Sequence, residues 1–253
     1  MEKLEKVIEE FLKRTAKECM KVVVVEGEPG ILDDKLGGKP YLPVGEEYPL
    51  DKDGKPMYLV AQFNLKNVDL EGWPKTGIIE IFIDADLGWP CQYKIKYFEE
   101  GLEYQEELPK VEMEYPIIET PVKIVLEKAT SIMPFSEHRF IDTVAEIIKD
   151  LYGETATNYP EMDSFFGTDD WPEPFIDKIE NPRCNIGGYA DFTQSDPRDR
   201  EHTEKKECLF KLDSNLDFNN INIGDAGILF TFISKEDIKN ARFENAVVDW
   251  DCC

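Results

Sequence analysis

The sequence predicts an α+β fold made of two related units of antiparallel strands, with amphipathic helices packed on the sheets. Three observations predict it. Apolar residues recur at helical spacing in two stretches, short β-type runs lie between turn-rich segments, and the chain matches itself at a nearly constant offset. Because the two copies together fill the 253 residues, we expect one globular domain of two pseudo-repeats, about 1–116 and 117–253.

The first half opens with apolar residues at helical spacing, which predict an amphipathic helix over residues 2–20. Val22–Val25 follows as a short buried strand. Residues 26–57 are so rich in glycine and proline that they predict a long structured loop. Three β-type runs come next and predict strands at Tyr58–Leu65, Gly77–Ile83 and Gln92–Phe98.

The second half follows an acidic segment, residues 99–116, which we interpret as connecting material. Val122–Leu126 predicts a strand, and His138–Tyr152 predicts a second amphipathic helix that ends at Gly153 in the left-handed cap position. Residues 154–182 are predicted to be loop. The remaining elements are strands near Cys208–Leu212, Gly227–Ile233 and Ala246–Trp250, with a short helix near Lys235–Asn240.

The self-match is the feature that organises the chain. It joins three pairs of segments in one order, and chance is the alternative, since Gly-Gly pairs and β-branched runs are common. The pairs are Leu36–Gly38 with Ile186–Gly188 (187 − 37 = 150), Leu59–Asn64 with Cys208–Asp213 (208 − 59 = 149), and Gly77–Ile83 with Gly227–Ile233 (227 − 77 = 150).

The same residues resemble a known family. Lys35–Pro43, Tyr48-Pro49 and Gly54–Leu65 are similar to the first signature of the YwqG-like family of bacterial proteins, and Gly224–Gly227 with Trp250–Cys252 resembles the second. The resemblance covers roughly residues 35–253. It implies a cytosolic bacterial α+β domain without an established biochemical function, so it assigns no catalytic residues.

Composition excludes several classes of function. Asp and Glu number 53 against 29 Lys and Arg, which gives a net charge of −24. A surface this acidic repels phosphate backbones and anionic lipids, so we expect neither a nucleic acid nor a membrane as partner. The absence of a signal-like or membrane-spanning apolar stretch favours the cytoplasm. The oligomeric state is left open.

The sequence contains few candidate catalytic residues. It has two histidines, of which His138 stands at a predicted helix start and His202 in a charged loop. The six cysteines follow no metal-ligand or redox spacing. We therefore expect no catalytic residues, no metal and no cofactor, and the chain is more typical of a binding protein than of an enzyme.

One group of polar and glycine residues forms a speculative ligand site. Gln62, on an otherwise apolar strand, must satisfy its amide either by bonding to the backbone of the glycine-rich loop or by holding a ligand. In the second copy Lys211 stands opposite Gln62, so the copies cannot offer equivalent polar sites. The candidate ligand-binding residues are Gly37, Gly38, Gln62, Asn64, Gly187, Gly188, Asp213 and Asp225.

Residues 161–175 combine aromatic and acidic side chains. One interpretation is a loop whose rings plug the core; the other is a docking surface for a basic protein, with Phe165, Phe166, Asp169, Asp170 and Trp171 as candidate contacts. The leading functional hypothesis is thus a non-enzymatic module that binds a basic partner, in one version an immunity-like protein. The alternatives are a small-molecule binder or unfamiliar enzyme with a cleft between the repeats, and a scaffold without a ligand.

Overall fold

A computed structural model describes residues 2–85, 91–113, 115–199, 201–214 and 221–252. The strands there are β1 Lys17–Val25, β2 Lys35–Leu36, β3 Tyr58–Asn64, β4 Ile78–Ile83, β5 Tyr93–Phe98, β6 Val122–Ser131, β7 Cys184–Gly187, β8 Glu207–Asp213, β9 Ile228–Ile233 and β10 Val247–Asp251. The α-helices are α1 Glu2–Thr15, α2 Phe140–Tyr152, α3 Tyr159–Phe166, α4 Glu173–Ile176 and α5 Lys235–Lys239. The fold is α+β, as the sequence predicts.

The described strands form one antiparallel sheet in the order β10-β9-β8-β7-β1-β6-β2-β3-β4-β5. At its centre β1 and β6 pair along nine residues, from Lys17 opposite Ser131 to Val25 opposite Lys123. Outward from this pair, β2-β3-β4-β5 on one side and β7-β8-β9-β10 on the other follow the same sequential order. Each side also has a bulge at its second strand, between Leu59 and Ala61 in β3 and between Cys208 and Phe210 in β8.

The sheet curls into a nearly closed barrel. Phe63 of β3 and Phe210 of β8 lie with ring centroids 5.0 Å apart, although four strands separate β3 from β8 in the sheet. The two edges also approach each other, because Tyr97 of β5 packs 5.5 Å from Phe243, just before β10. The inner face of the curled sheet encloses the main hydrophobic core.

Four of the helices build a second hydrophobic cluster. Phe11 of α1 packs against Phe140 of α2 and Phe175 of α4, with ring centroids 4.9 and 5.3 Å apart. Met162 of α3 and Trp171 are buried in the same cluster. None of the helices among the described residues has the length and hydrophobicity that a bilayer crossing requires.

Two predicted segments differ from the structure. The helix predicted over residues 2–20 ends at Thr15, because Lys17–Met20 already belongs to β1, where it pairs with β6 and β7. Residues 154–182 are not wholly loop, since they contain α3 and α4. Pro160 lies in the first turn of α3, where the missing N–H costs nothing.

Strand lengths in the centre of the sheet also differ from expectation. The strand predicted at Val122–Leu126 continues to Ser131, and Cys184–Gly187 forms a strand that the sequence did not predict. The second amphipathic helix is confirmed and begins at Phe140 rather than His138. Its end is also confirmed, because Gly153 has φ 67° and caps it in the left-handed conformation.

Candidate functional site

Gln62 fastens the glycine-rich segment to the sheet. Its side chain is fully buried on β3, and Nε2 donates hydrogen bonds to the Ile31 and Asp33 carbonyls at 2.8 and 3.0 Å. Its Oε1 accepts from the backbone N–H of Tyr41 at 2.9 Å. The amide is thus satisfied by backbone groups, as the structural alternative for Gln62 expects.

Two ionisable groups are buried beside Gln62. Glu80 lies opposite Gln62 in the β3–β4 pairing, and its Oε1 also accepts from Tyr41 N, at 2.6 Å. Burial raises the pKa of Glu80 to about 8. Burial likewise lowers the pKa of Lys35 to about 8, and its Nζ donates to the Gly30 and Ile31 carbonyls. The cluster holds the loop against the sheet.

The other candidate residues of the first half are also packed in place. Asn64 is buried and caps a 3-10 turn, with its Oδ1 accepting from Lys66 N at 3.3 Å. Gly37 and Gly38 have φ of 70° and 84°. A Cβ on Gly38 would lie 2.9 Å from Cβ of Pro121. The backbone of Gly38 is therefore closely approached by the protein's own chain rather than by a ligand.

The second-half candidates lie in a different environment. Lys211, which stands at the position of Gln62, is buried and forms an ion pair with Asp191. Asp213 accepts from Arg183 Nη1 at 3.2 Å, and Asp225 lies on an exposed turn before β9. A Cβ on Gly188 would lie 2.7 Å from Cβ of Ser131. The eight candidates therefore do not converge on one site.

The two Gly-Gly loops line separate cavities. Gly187 and Gly188 line a cavity of about 340 Å³ together with Trp73 from the first half. Gly38 faces another of about 420 Å³, beside Tyr58. Gln62, Asn64, Asp213 and Asp225 line neither of the two.

The aromatic residues of segment 161–175 belong mainly to the helical core. Trp171 is fully buried, and its Nε1 donates to Asp163 Oδ1 at 3.0 Å. Phe166 stacks on Trp171 with centroids 5.5 Å apart, and Phe165 packs edge-on against Phe166. Among the five candidate contacts only Asp169 and Asp170 are exposed, which is the arrangement that the core-plugging interpretation expects.

A different surface combines exposed carboxylates with exposed apolar side chains. We call residues 44–47 and 99–107 the acidic face. They contain seven glutamates and no lysine or arginine. The solvent-exposed fraction is 62% for Val44, 48% for Leu102 and 39% for Tyr104. This face is the candidate functional site.

Hydrogen bonds hold the two segments of the acidic face together. Val44 N donates to the Glu103 carbonyl and Gln105 N to the Leu42 carbonyl, both at 2.8 Å. The Gln105 side chain adds bonds from Nε2 to the Pro43 and Glu46 carbonyls, at 2.9 and 2.7 Å. The face is therefore a fixed platform rather than two independent loops.

Most glutamates of the acidic face have no side-chain ion pair within the described part of the chain, although Lys39 Nζ donates to the backbone carbonyl of Glu106. Lys96 Nζ lies 3.9 Å from Glu46, and Lys66 Nζ lies 2.9 Å from Glu100. Among the described residues, no lysine or arginine pairs with the side chains of the remaining five: Glu47, Glu99, Glu103, Glu106 and Glu107. The face keeps most of its negative charge.

Comparison with protein families matches residues 34–252 to DUF1963, described as a domain of unknown function. The chain belongs to the DUF1963 family. The DUF1963 match includes both Gly-Gly loops and the acidic face, and it begins after β1, the strand that pairs with β6 and β7. No curated protein matches the chain.

One group of side chains in this DUF1963 protein has metal-ligand geometry. Glu137, His138 and Asp196 each offer a ligand atom, all within 4.8 Å of one another. Both carboxylates already accept hydrogen bonds from guanidinium groups, Glu137 from Arg139 and Arg198, and Asp196 from Arg198. A cation there would meet two fixed positive charges, so the group is a poor metal site.

Sequence reasoning missed both of these clusters. Segment 99–116 is recognisable in the sequence as a run of glutamates. The apolar residues Leu102 and Tyr104 within this run indicate a binding surface rather than a linker. His138 and Arg198 are 60 positions apart (198 − 138 = 60), and no local pattern connects them.

Proposed function

We propose that this DUF1963 protein is a non-enzymatic binding module whose acidic face takes a basic protein partner. The observation that carries the proposal is the joint exposure of seven glutamates with Val44, Leu102 and Tyr104 on one hydrogen-bonded platform. At such a surface, carboxylates attract and orient a cationic partner, and apolar side chains supply contact area that loses water on binding.

The charge of the whole chain works in the same direction. With a net charge of −24, the protein attracts cationic molecules from a distance and repels anionic ones. Long-range attraction accelerates encounter, and the local glutamates then select the docking orientation. We therefore expect an association rate that depends strongly on the salt concentration.

The rigidity of the platform favours tight association. The hydrogen bonds of Gln105 to Pro43 and Glu46 already fix the loop conformation before a partner arrives. Tyr104 is further supported by Tyr41, with ring centroids 6.1 Å apart. Binding then loses little loop entropy, because the loops are ordered in the free protein.

Affinity purification with mass spectrometry tests the proposal. The wild type is compared with a face variant, Glu103→Gln/Glu106→Gln/Glu107→Gln, and with a control variant, Glu5→Gln/Glu9→Gln/Glu146→Gln. Both variants change the net charge equally, from −24 to −21 (−24 + 3), and the control residues are exposed on α1 and α2. We expect a basic protein that the wild type and the control capture and the face variant loses. Equal capture by all three, or capture of no basic protein, contradicts the proposal.

Three finer proposals accompany this one. Lys35–Pro43 and Gly54–Leu65 support a YwqG-like, bacterial and cytosolic member of the family, and an immunity-like role is one concrete form of partner binding. The repeated strand order on both sides of β1 and β6 and the matching bulges in β3 and β8 support an internal duplication.

A small-molecule site between the halves is the second candidate function. The cavity of about 340 Å³ favours it, because three lysines and three glutamates line it together with Trp73: Lys17, Lys235, Lys239, Glu18, Glu71 and Glu207. Side chains of both charges beside an aromatic ring suit a zwitterionic aromatic ligand. Thermal-shift measurements with a metabolite panel test this candidate; stabilisation that Trp73→Ala abolishes supports it, and no stabilisation contradicts it.

A further inference from the structure

A small cavity near the start of α2 has more cationic than anionic side chains in its walls. It has a volume of about 240 Å³ and is lined by His138, Arg139, Arg198, Asp199, Thr203 and Lys206. Three permanent cations against one carboxylate, that of Asp199, make this lining net positive in a chain of net charge −24. The cavity is smaller than the ~300 Å³ at which drug-sized pockets begin, so it suits a small ligand.

Arg198 is built into the wall of this cavity. Its side chain is only 4% exposed, and its guanidinium carbon lies 4.2 Å above the ring of Phe232. The Nε and Nη2 atoms bond to Asp196 at 2.9 and 2.8 Å, and Nη2 also bonds to Glu137 at 2.6 Å. These contacts hold the guanidinium in a fixed orientation.

Arg139 supplies a hydrogen-bond donor that lacks an acceptor. Its Nε donates to Glu137 Oε1 at 2.6 Å, while its Nη2 is buried without a partner among the described residues. Arg139 thus has a guanidinium nitrogen that no acceptor of the described chain uses, and its side chain, 36% exposed, forms part of the cavity wall. Arg139 also stands at the first position before α2, whose N-terminus favours anions.

The carboxylates of the cluster lie behind the cations. Glu137 and Asp196 are almost fully buried and accept from the arginines and from His138, whose Nδ1 lies 2.7 Å from Asp196 Oδ2. Burial acts to raise the pKa of Asp196, but the hydrogen bonds and charge of Arg198 outweigh it and hold the pKa below its usual value. Asp196 therefore stays ionised and keeps Arg198 and His138 in place.

We propose that this cavity binds a small oxyanion of the phosphate class, held by Arg139, Arg198 and Lys206 with His138 at its edge. Phosphate oxygens are acceptors, and guanidinium and ammonium groups are the donors that bind them best. A divalent cation is the competing ligand, because Glu137, His138 and Asp196 have ligand spacing. The arginines already occupy those carboxylates, so the oxyanion is favoured.

Calorimetric titration with inorganic phosphate and with glycerol phosphate, at constant ionic strength, tests the proposal. The variants are Arg139→Gln and Lys206→Gln, with Lys149→Gln on the exposed face of α2 as the matched control. We expect saturable 1:1 binding that each cavity variant weakens about tenfold and the control leaves unchanged, since each removes one charge-assisted contact. Tighter binding of glycerol phosphate than of phosphate identifies the ligand as a phosphate ester; the reverse identifies free phosphate.

Three results would overturn the proposal. The first is the absence of saturable binding of either anion by the wild type. The second is equal weakening by Lys149→Gln, which reveals attraction to general charge. The third is binding of Mg²⁺, Ca²⁺ or Zn²⁺ that Arg139→Gln strengthens, because that substitution releases Glu137 to a cation. Lys206 is exposed, so Lys206→Gln keeps the test decisive if Arg139→Gln fails to fold.

Discussion

Gln62 and Glu80 accept a hydrogen bond from the same backbone N–H, that of Tyr41, at 2.9 and 2.6 Å. They lie opposite each other on β3 and β4, under the glycine-rich segment. The amide of Gln62 holds this segment at Ile31 and Asp33 as well. Tyr41 lies three residues before Val44, the first residue of the acidic face. This shared hydrogen bond therefore anchors the acidic face to the sheet.

Glu80→Gln should change how stability depends on pH. The pKa of Glu80 is about 8 in the folded protein against an ordinary value of 4.5, so between these values the folded state holds a proton that the unfolded chain releases. Wild-type stability therefore falls as pH rises from 4.5 to 8, by at most about 1.4 kcal/mol per pH unit from this group. The variant lacks this contribution.

Urea unfolding at pH 5, 6, 7 and 8 measures the difference between wild type and Glu80→Gln. We expect the two free energies of unfolding to be closest at pH 5 and to diverge in favour of the variant toward pH 8. The pH range ends at 8 because Lys35, with its lowered pKa of about 8, titrates above it with the opposite sign. Parallel curves would show that Glu80 is ionised in the folded protein.

Gly188→Ala should cost more stability than Gly153→Ala. Both glycines have left-handed φ, 68° and 67°, so alanine is strained at each by ~1–2 kcal/mol. At Gly188 the new Cβ would also lie 2.7 Å from Ser131 Cβ and 2.9 Å from Cys19 Cβ, whereas nothing lies within 4 Å at Gly153. The overpacking adds ~1–3 kcal/mol. Chemical denaturation of both variants checks this, and equal losses would contradict the close packing.

Trp171→Ala should destabilise the protein without affecting a partner site. The indole is fully buried among Phe140, Phe166 and Phe175, and its removal should lower the free energy of unfolding by ~3–5 kcal/mol. The matched change Asp169→Asn/Asp170→Asn on the exposed part of the segment should stay within ~0.5 kcal/mol. Thermal unfolding measures both. Loss of partner capture by the aspartate variant, with stability intact, would restore segment 161–175 as the docking surface.

The sequence predicts best the strands that carry a regular apolar pattern. The predicted positions of β3, β4, β5, β8, β9 and β10 are confirmed within a few residues, because each is a β-branched or aromatic run between turn formers. The α1–β1 boundary is wrong, since Lys17–Met20 is held in a strand by its pairing with β6 and β7. That pairing is tertiary, so local spacing could not reveal it.

The sites are harder to predict than the strands for a physical reason. Segment 161–175 and the acidic face both combine carboxylates with apolar side chains, yet Trp171 is buried against α2, α3 and α4 while Leu102 and Tyr104 remain exposed. Exposure depends on which helices cover a segment, and composition does not contain that information. The cationic cavity likewise requires the fold to bring His138 and Arg198 together.

The salt dependence of the association rate with the captured basic partner shows whether the acidic face is the docking surface. Between about 0.01 M and about 0.15 M salt the Debye length shrinks from ~30 Å to ~8 Å. We expect the association rate of the wild type and of Glu5→Gln/Glu9→Gln/Glu146→Gln to fall at least about tenfold over this range. For Glu103→Gln/Glu106→Gln/Glu107→Gln we expect a slower and less salt-dependent association rate. Equal rates and equal salt dependence for the two variants would contradict a docking role for the acidic face.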